Sequence, residues 1–303
     1  MGHLYVFWIG FHVLILLLLV IDIGVFQKKP HAIKLKEALL LSAFWVLLAL
    51  LFNGFIYLMR GPDAAVQFFT GYLIEKTLSV DNLFVFLMIF SYFKVPSLYQ
   101  HKILYWGILG ALIFRIVLIL VGVELIREFH WIIYALGAFL FLTGIKFLLQ
   151  QEKTLAPEDN WVVRLCYRYI PLSQSLEGGE FFKREQGKLK MTYLFVVLLM
   201  IESTDLIFAL DSIPAIFAVT TDPFIVYTSN IFAILGLRSL YFALAHVLNR
   251  LKYFKFGLAA ILIFIGAKML LSTVYPIETW IVLVVVVSLL IVTTITSLIG
   301  KTD

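Results

Sequence analysis

The apolar residues of this chain gather into blocks of roughly 20, the length a helix needs to cross a hydrocarbon core. Nine blocks are read between the charges: Leu4–Phe26, Ala38–Met59, Val66–Phe93, Ile103–Val123, Trp131–Gln150, Met191–Val219, Phe224–Leu248, Phe256–Val274 and Thr279–Ile299. With 62% hydrophobic and 14% charged residues, these blocks absorb nearly all of the apolar complement. That excludes a secreted disulfide scaffold, a nucleic-acid-binding domain and an ordinary soluble enzyme as primary readings. The expected class is an all-α polytopic membrane protein of about nine transmembrane helices, with no enzymatic role. The single cysteine, Cys166, can close no internal disulfide and build no thiolate cluster. The first block has neither a basic leading region nor a small-residue cleavage site, so it is expected to be a retained helix rather than a signal peptide.

Lys and Arg collect in cytoplasmic loops. An outside amino terminus leaves only Arg60 and Arg127 in outer segments, while Lys76, Arg115, Lys146, Arg238 and Lys268 fall inside spans and all other bases lie inside the cell. The expectation is N-out, C-in, and the net charge of +5 reports topology rather than a nucleic-acid partner. The long inner loop, Gln151 to Lys190, reads as an interfacial helix over Trp161–Ile170 followed by a hairpin over Phe181–Met191 that turns at Gln186-Gly187.

The chain also repeats itself. Ser79-Val80-Asp81-Asn82-Leu83-Phe84-Val85 matches Ser203-Thr204-Asp205-Leu206-Ile207-Phe208-Ala209, and Asp81, Arg115 and Lys146 recur at nearly equal spacing as Asp205, Arg238 and Lys268. Each copy holds three spans, an odd number, so the copies cross the membrane in opposite senses, as in many transporters. The organisation expected is two leading helices (1–65), a first repeat (66–150), the loop (151–190), an inverted second repeat (191–275) and a final helix with the carboxyl terminus (276–303).

An ionisable group in mid-span costs about 2.5 to 3.5 kcal/mol on insertion scales. The third span nonetheless holds Glu75, Asp81 and Asn82, and the sixth holds Glu202, Asp205 and Asp211. Two compensations are open. The five in-span bases match the five acids in number and allow a structural salt-bridge network, although they are spread over five spans. Alternatively, a hard divalent cation is bound by oxygens of Glu75, Asp81, Asn82, Asp205 and Asp211, with Ser79, Ser203 and Ser212 as neighbours. His246 reads as an interfacial or packing residue. Glu202 and Asp205 share a helix face, whereas Asp211 faces away, so a break at Pro214 that frees the Leu210 carbonyl is expected to bring them together.

The stretches from Glu75 to Phe86 and from Ile201 to Phe217 resemble the two signature segments of the TerC family. Gly178-Gly179-Glu180-Phe181-Phe182 and the run Tyr227 to Arg238 fit the same family, close to its Alx-like branch. The resemblance covers nearly the whole chain. It implies an inner-membrane protein of the LysE-type transporter superfamily, with manganese export as the associated activity and tellurite resistance as the origin of the family name. The family's acidic positions carry over to Glu75, Asp81, Asn82, Glu202, Asp205 and Asp211.

The reading is therefore a secondary transporter exporting Mn²⁺, with Asp81 and Asp205 as central ligands, Glu75, Asn82 and Asp211 completing the shell, and Glu202 taking a proton in exchange. Its partners are the bilayer and the ion; no permanently bound cofactor is expected. The competing reading is a non-transporting scaffold in stress resistance or membrane-protein assembly. An intramembrane aspartyl protease is set aside because the chain has no Gly-x-Gly-Asp segment.

Overall fold

Backbone polar groups in lipid must be satisfied within the chain, so apolar blocks of this length fold as helices. The computed structural model describes residues 2–26, 35–149, 164–165, 168, 171, 173, 179–185, 187–245 and 253–299. The helices are α1 (Gly2–Phe26), α2 (Leu35–Arg60), α3 (Pro62–Tyr92), α4 (Ser97–Glu128), α5 (Ile132–Leu149), α6 (Tyr193–Phe217), α7 (Pro223–Leu235), α8 (Leu237–Ala245), α9 (Phe254–Leu271) and α10 (Thr279–Ile299). Among the described residues, six helices (α2, α4, α5, α6, α9 and α10) are long and apolar enough to cross a membrane, and α7 with α8, bent by 41° at Gly236, makes a possible seventh. No bilayer-length stretch of the 31-residue α3 avoids its charges at Asp63, Glu75, Lys76 and Asp81.

Large apolar side chains cover the outside, as at Leu58, Leu149 and Val274, which are about four-fifths exposed. A soluble fold does not present such a surface. Inside, α3 is the hub. Phe68 and Tyr72 pack with Phe52 of α2 and Phe232 of α7; Phe86 and Phe90 pack with Ile201 of α6 and Tyr241 of α8; Ile74 and Leu78 pack with Leu258 and Leu262 of α9.

The α5–α9 contact is built on glycine. A β-carbon at Gly144 would stand 2.9 Å from the Ala259 carbonyl, and one at Gly266 would stand 2.7 Å from the Gly137 carbonyl. Small residues permit this backbone approach, which is the main source of helix association in lipid.

The expected hairpin is present, with β1 (Phe182–Glu185) antiparallel to β2 (Lys188–Met191) and Glu185 opposite Lys188. Gly187 has φ of 77°, a turn conformation that other residues resist. Lys102 of α4 holds the segment before β1, donating to the Gly179 carbonyl over 2.8 Å with its Nζ 4.6 Å from the Phe181 ring. The Ser173 backbone N–H donates to the Met191 carbonyl over a further 2.8 Å bond. Of the expected interfacial helix only Arg164, Leu165 and Arg168 are described, all helical. Cys166, His246 and the inner bases at 27–34 lie outside the described residues.

One expectation is overturned. Helix α6 runs unbroken through Pro214 to Phe217. Pro214 removes only one backbone bond close to the helix end, and Ser212 to Phe217 are all buried, so packing holds the turn. The broken helix is α7–α8 instead.

Candidate functional site

Helix α3 carries Glu75, Asp81 and Asn82 into the middle of the bundle, and α6 brings Glu202, Asp205 and Asp211 against it. Because α6 stays helical, Asp211 points away from the face that Glu202 and Asp205 share. The six expected site residues are accordingly not gathered at one point. Among the described residues, no three carboxylate, imidazole or thiolate side chains converge as a metal cage.

Glu75 and Asp205 belong to a cluster centred on Arg115 of α4, which is fully buried. Its Nη1 pairs with Glu75 Oε1 in a short contact, and its Nη2 approaches Asp205 Oδ1 at 3.4 Å. Nη1 also donates to Asn230 Oδ1 of α7 at 3.1 Å and to Ser212 Oγ at 3.4 Å. Asn230 Nδ2 returns a bond to Glu75 Oε2 at 3.1 Å, and Ser79 Oγ donates to Glu75 Oε1 at 3.4 Å. Buried ions are stabilised as their bonding capacity is met, and here two carboxylates and an amide occupy both terminal nitrogens of the guanidinium, leaving Arg115 Nε without a partner among the described residues. Four helices, α3, α4, α6 and α7, are tied at this point.

Asp81 and Asp211 lie elsewhere. With Asn82 they line a cavity of about 20 Å³ walled by Leu78, Phe147, Phe208, Leu258 and Leu262, so that α3, α5, α6 and α9 all contribute. Asp211 lies beside Thr143 of α5 and feels the charge of Lys146, while Asp81 feels both Asp211 and Lys255. Asn82 spans the two places: it lines this cavity and donates to Asp205 Oδ1 over 3.4 Å.

Among the described residues Glu202 makes no bond to either group, but it lies near enough to Asp205 to feel its charge. Its carboxylate covers Gly110 of α4, where any β-carbon would collide with it, and its Oε2 has no hydrogen-bond partner among the described residues. A second cavity of about 20 Å³ has Asp205, Ala111, Ile201 and Arg238 in its wall. Of the serines expected near a cation, Ser79 and Ser212 bond into the Arg115 cluster, whereas Ser203 bonds back to the Met200 carbonyl of its own helix.

Asn230 and Thr143 received no role from the sequence. An Asn in the middle of an apolar span costs free energy as an acid does, and that cost was the available signal for Asn230. Nothing local distinguishes Thr143.

Residues 60–303 match the integral membrane protein TerC family. An uncharacterised membrane protein of Myxococcus xanthus is 52% identical over 86% of this chain and 82% of its own length. A protein of Escherichia coli strain K12 named "Putative membrane-bound redox modulator Alx" is 46% identical over 94% of this chain and 92% of its own. An uncharacterised membrane protein of Rickettsia bellii is 43% identical over 97% of both chains. No solved structure matches the chain.

Proposed function

The chain belongs to the TerC family of integral membrane proteins, and from that premise we propose that it is a secondary transporter exporting a divalent cation, Mn²⁺ foremost, across the bacterial inner membrane. The observation that carries this reading is the cavity where Asp81 of α3 and Asp211 of α6 meet beside Asn82. Its volume of about 20 Å³ suits an occupant the size of a water molecule. Two carboxylates and an amide are hard oxygen donors of the kind Mn²⁺ and Mg²⁺ accept, with water and backbone carbonyl completing a shell.

In this reading Asp81, Asn82 and Asp211 hold the ion. Glu75 and Asp205 brace the helices through Arg115 and leave the ligand set. Glu202, beside Asp205 but outside the ligand set, takes the proton that is exchanged for metal.

Alternating access comes from two inverted three-span units, α3–α5 and α6–α9 with α7–α8 as one span, within nine spans that α1 and α3 complete, with the amino terminus outside. Reciprocal packing supports this symmetry. The repeat pairs Gly144 with Gly266 and Gly137 with Ala259; Gly144 packs on Ala259 as Gly266 packs on Gly137. Helix α3 likewise packs on α7 as α4 packs on α6. A two-fold relation demands such reciprocity.

The redox name borne by relatives sets a further condition. With Cys166 as its one cysteine, the chain holds no intramolecular dithiol, and in this reading a redox effect comes through what it transports.

The test is Mn²⁺ flux in proteoliposomes under an imposed proton gradient, with Mg²⁺, Ca²⁺ and Zn²⁺ compared. Asp81→Asn and Asp211→Asn are each expected to lower flux at least tenfold. Unchanged flux in both variants would remove the cavity from the mechanism, and the absence of flux for every ion would remove transport.

A further inference from the structure

The α7–α8 break lies deep in the bundle, where an exposed helix end is costly. The last carbonyls of a helix have no amide partners, and they form the negative end of its dipole. Ala233, Ile234 and Leu235, which end α7, are at most 3% exposed, so water does not satisfy them; the Gly236 N–H reaches the Ile234 carbonyl, and the negative end of the helix still faces a dry interior. A broken span in lipid therefore needs something positive at this position, and in many transporters a bound cation supplies it.

Here the chain supplies it. Lys76 of α3 reaches across and donates from Nζ to the Ala233 carbonyl over 3.1 Å. Among the described residues Lys76 makes no ion pair, and its neighbour Glu75 is committed to Arg115 and Asn230. Gly236, the residue at the break, is what lets the ammonium in. A β-carbon there would stand 2.7 Å from Lys76 Nζ and 3.1 Å from Trp45 Cβ of α2. A lysine, a bare glycine and a helix end thus fit one another.

We infer that Lys76 is a tethered cation for the α7–α8 break: a positioning residue that occupies the place of a bound monovalent cation and fixes the bend. Two residues beyond Gly236 stands Arg238, in the wall of the Asp205 cavity, so the bend also sets where that guanidinium lies. Because α3 carries Lys76 as well as Asp81 and Asn82, a shift of α3 at the cavity reaches the α7–α8 bend through the ammonium on the Ala233 carbonyl. The consequence for flux rests on the transport reading; the fixing of the bend does not.

The experiment is hydrogen exchange of backbone amides in the full-length protein in lipid nanodiscs. Lys76→Met keeps the length and removes the charge; exchange over residues 234–240 is expected to rise at least tenfold, with α5 and α9 unchanged. Lys76→Arg should restore most of the protection. Gly236→Ala, which pushes the ammonium away while leaving Lys76 in place, should reproduce the Lys76→Met pattern and carries the comparison if Lys76→Met does not fold. In Lys76→Ala, added ethylammonium should slow exchange again, which a purely steric role of the side chain does not predict. Exchange within twofold of the parent in Lys76→Met or Gly236→Ala would overturn the inference. Binding of Mn²⁺ is measured on the same samples: binding kept while flux falls links the bend to transport. A parent protein that neither binds nor moves Mn²⁺ overturns the transport reading, with exchange still deciding the role of Lys76.

Discussion

The carboxamide of Asn82 on α3 donates to the Asp205 carboxylate on α6 across 3.4 Å, and the same side chain lines the cavity of Asp81 and Asp211. One neutral residue therefore joins the Arg115 cluster, where two carboxylates share one guanidinium, to the acidic cavity. A change of charge or position at either place is felt at the other through a single side chain.

Asn82→Leu is expected to weaken Mn²⁺ binding about tenfold and to cost about 1 to 3 kcal/mol of stability, since Asp205 loses a donor in a buried site. Titration of binding and thermal unfolding in detergent measure the two effects. Full Mn²⁺ affinity in this variant would separate Asn82 from the metal.

Arg115→Met leaves two carboxylates without their shared partner. Breaking a buried pair on one side typically costs about 3 to 5 kcal/mol. Combining it with Glu75→Gln should recover part of that loss, because the interaction is mutual. A single variant within about 1 kcal/mol of the parent would show that the cluster is not a brace.

At the α5–α9 contact, Gly144→Val and Gly266→Val should be comparably damaging, each by about 1 to 3 kcal/mol or more, because β-carbons there press on backbone across the interface. Gly54→Ala, with open space around it, should be tolerated. Unfolding midpoints give the comparison, and a large difference between the first two would argue against equivalent repeats.

The hairpin has its own pH dependence. Hydrogen bonds from Ser173 and Lys190 hold the Glu185 carboxyl below the usual carboxylate range. A depressed folded-state value means that the contribution is present above the unfolded value and is lost as pH falls through the folded one. Amide protection at Met191 and Ser173 should therefore weaken on acidification below about pH 4.3, the ordinary value for Glu. In Glu185→Gln that acid-induced weakening should vanish; its persistence would assign the effect to another group.

The sequence carries much of this. The hairpin turns at Gly187 because alternation and turn chemistry are local properties. The polar positions in α3 and α6 stand out because an acid in lipid is expensive wherever its neighbours lie. The misjudged break shows the opposite case. Pro214 is the stronger local signal, yet buried neighbours hold that turn, whereas Gly236 marks the bend through what approaches it, the Lys76 ammonium and Trp45.

Taken alone, the order of residues determined the helical class, the positions of the apolar blocks and the list of charged groups that had to be compensated inside them, since each follows from the cost of exposing a given group to hydrocarbon. Only the tertiary structure decided which groups compensate which: Arg115 goes to Glu75 and Asp205, Lys76 goes to a carbonyl, and Asp81 is left with Asp211. Each residue turns a side chain by about 100° around a helix, so its partner depends on which neighbouring helix stands at that angle. That placement is set by long-range packing such as the glycine contact of α5 with α9.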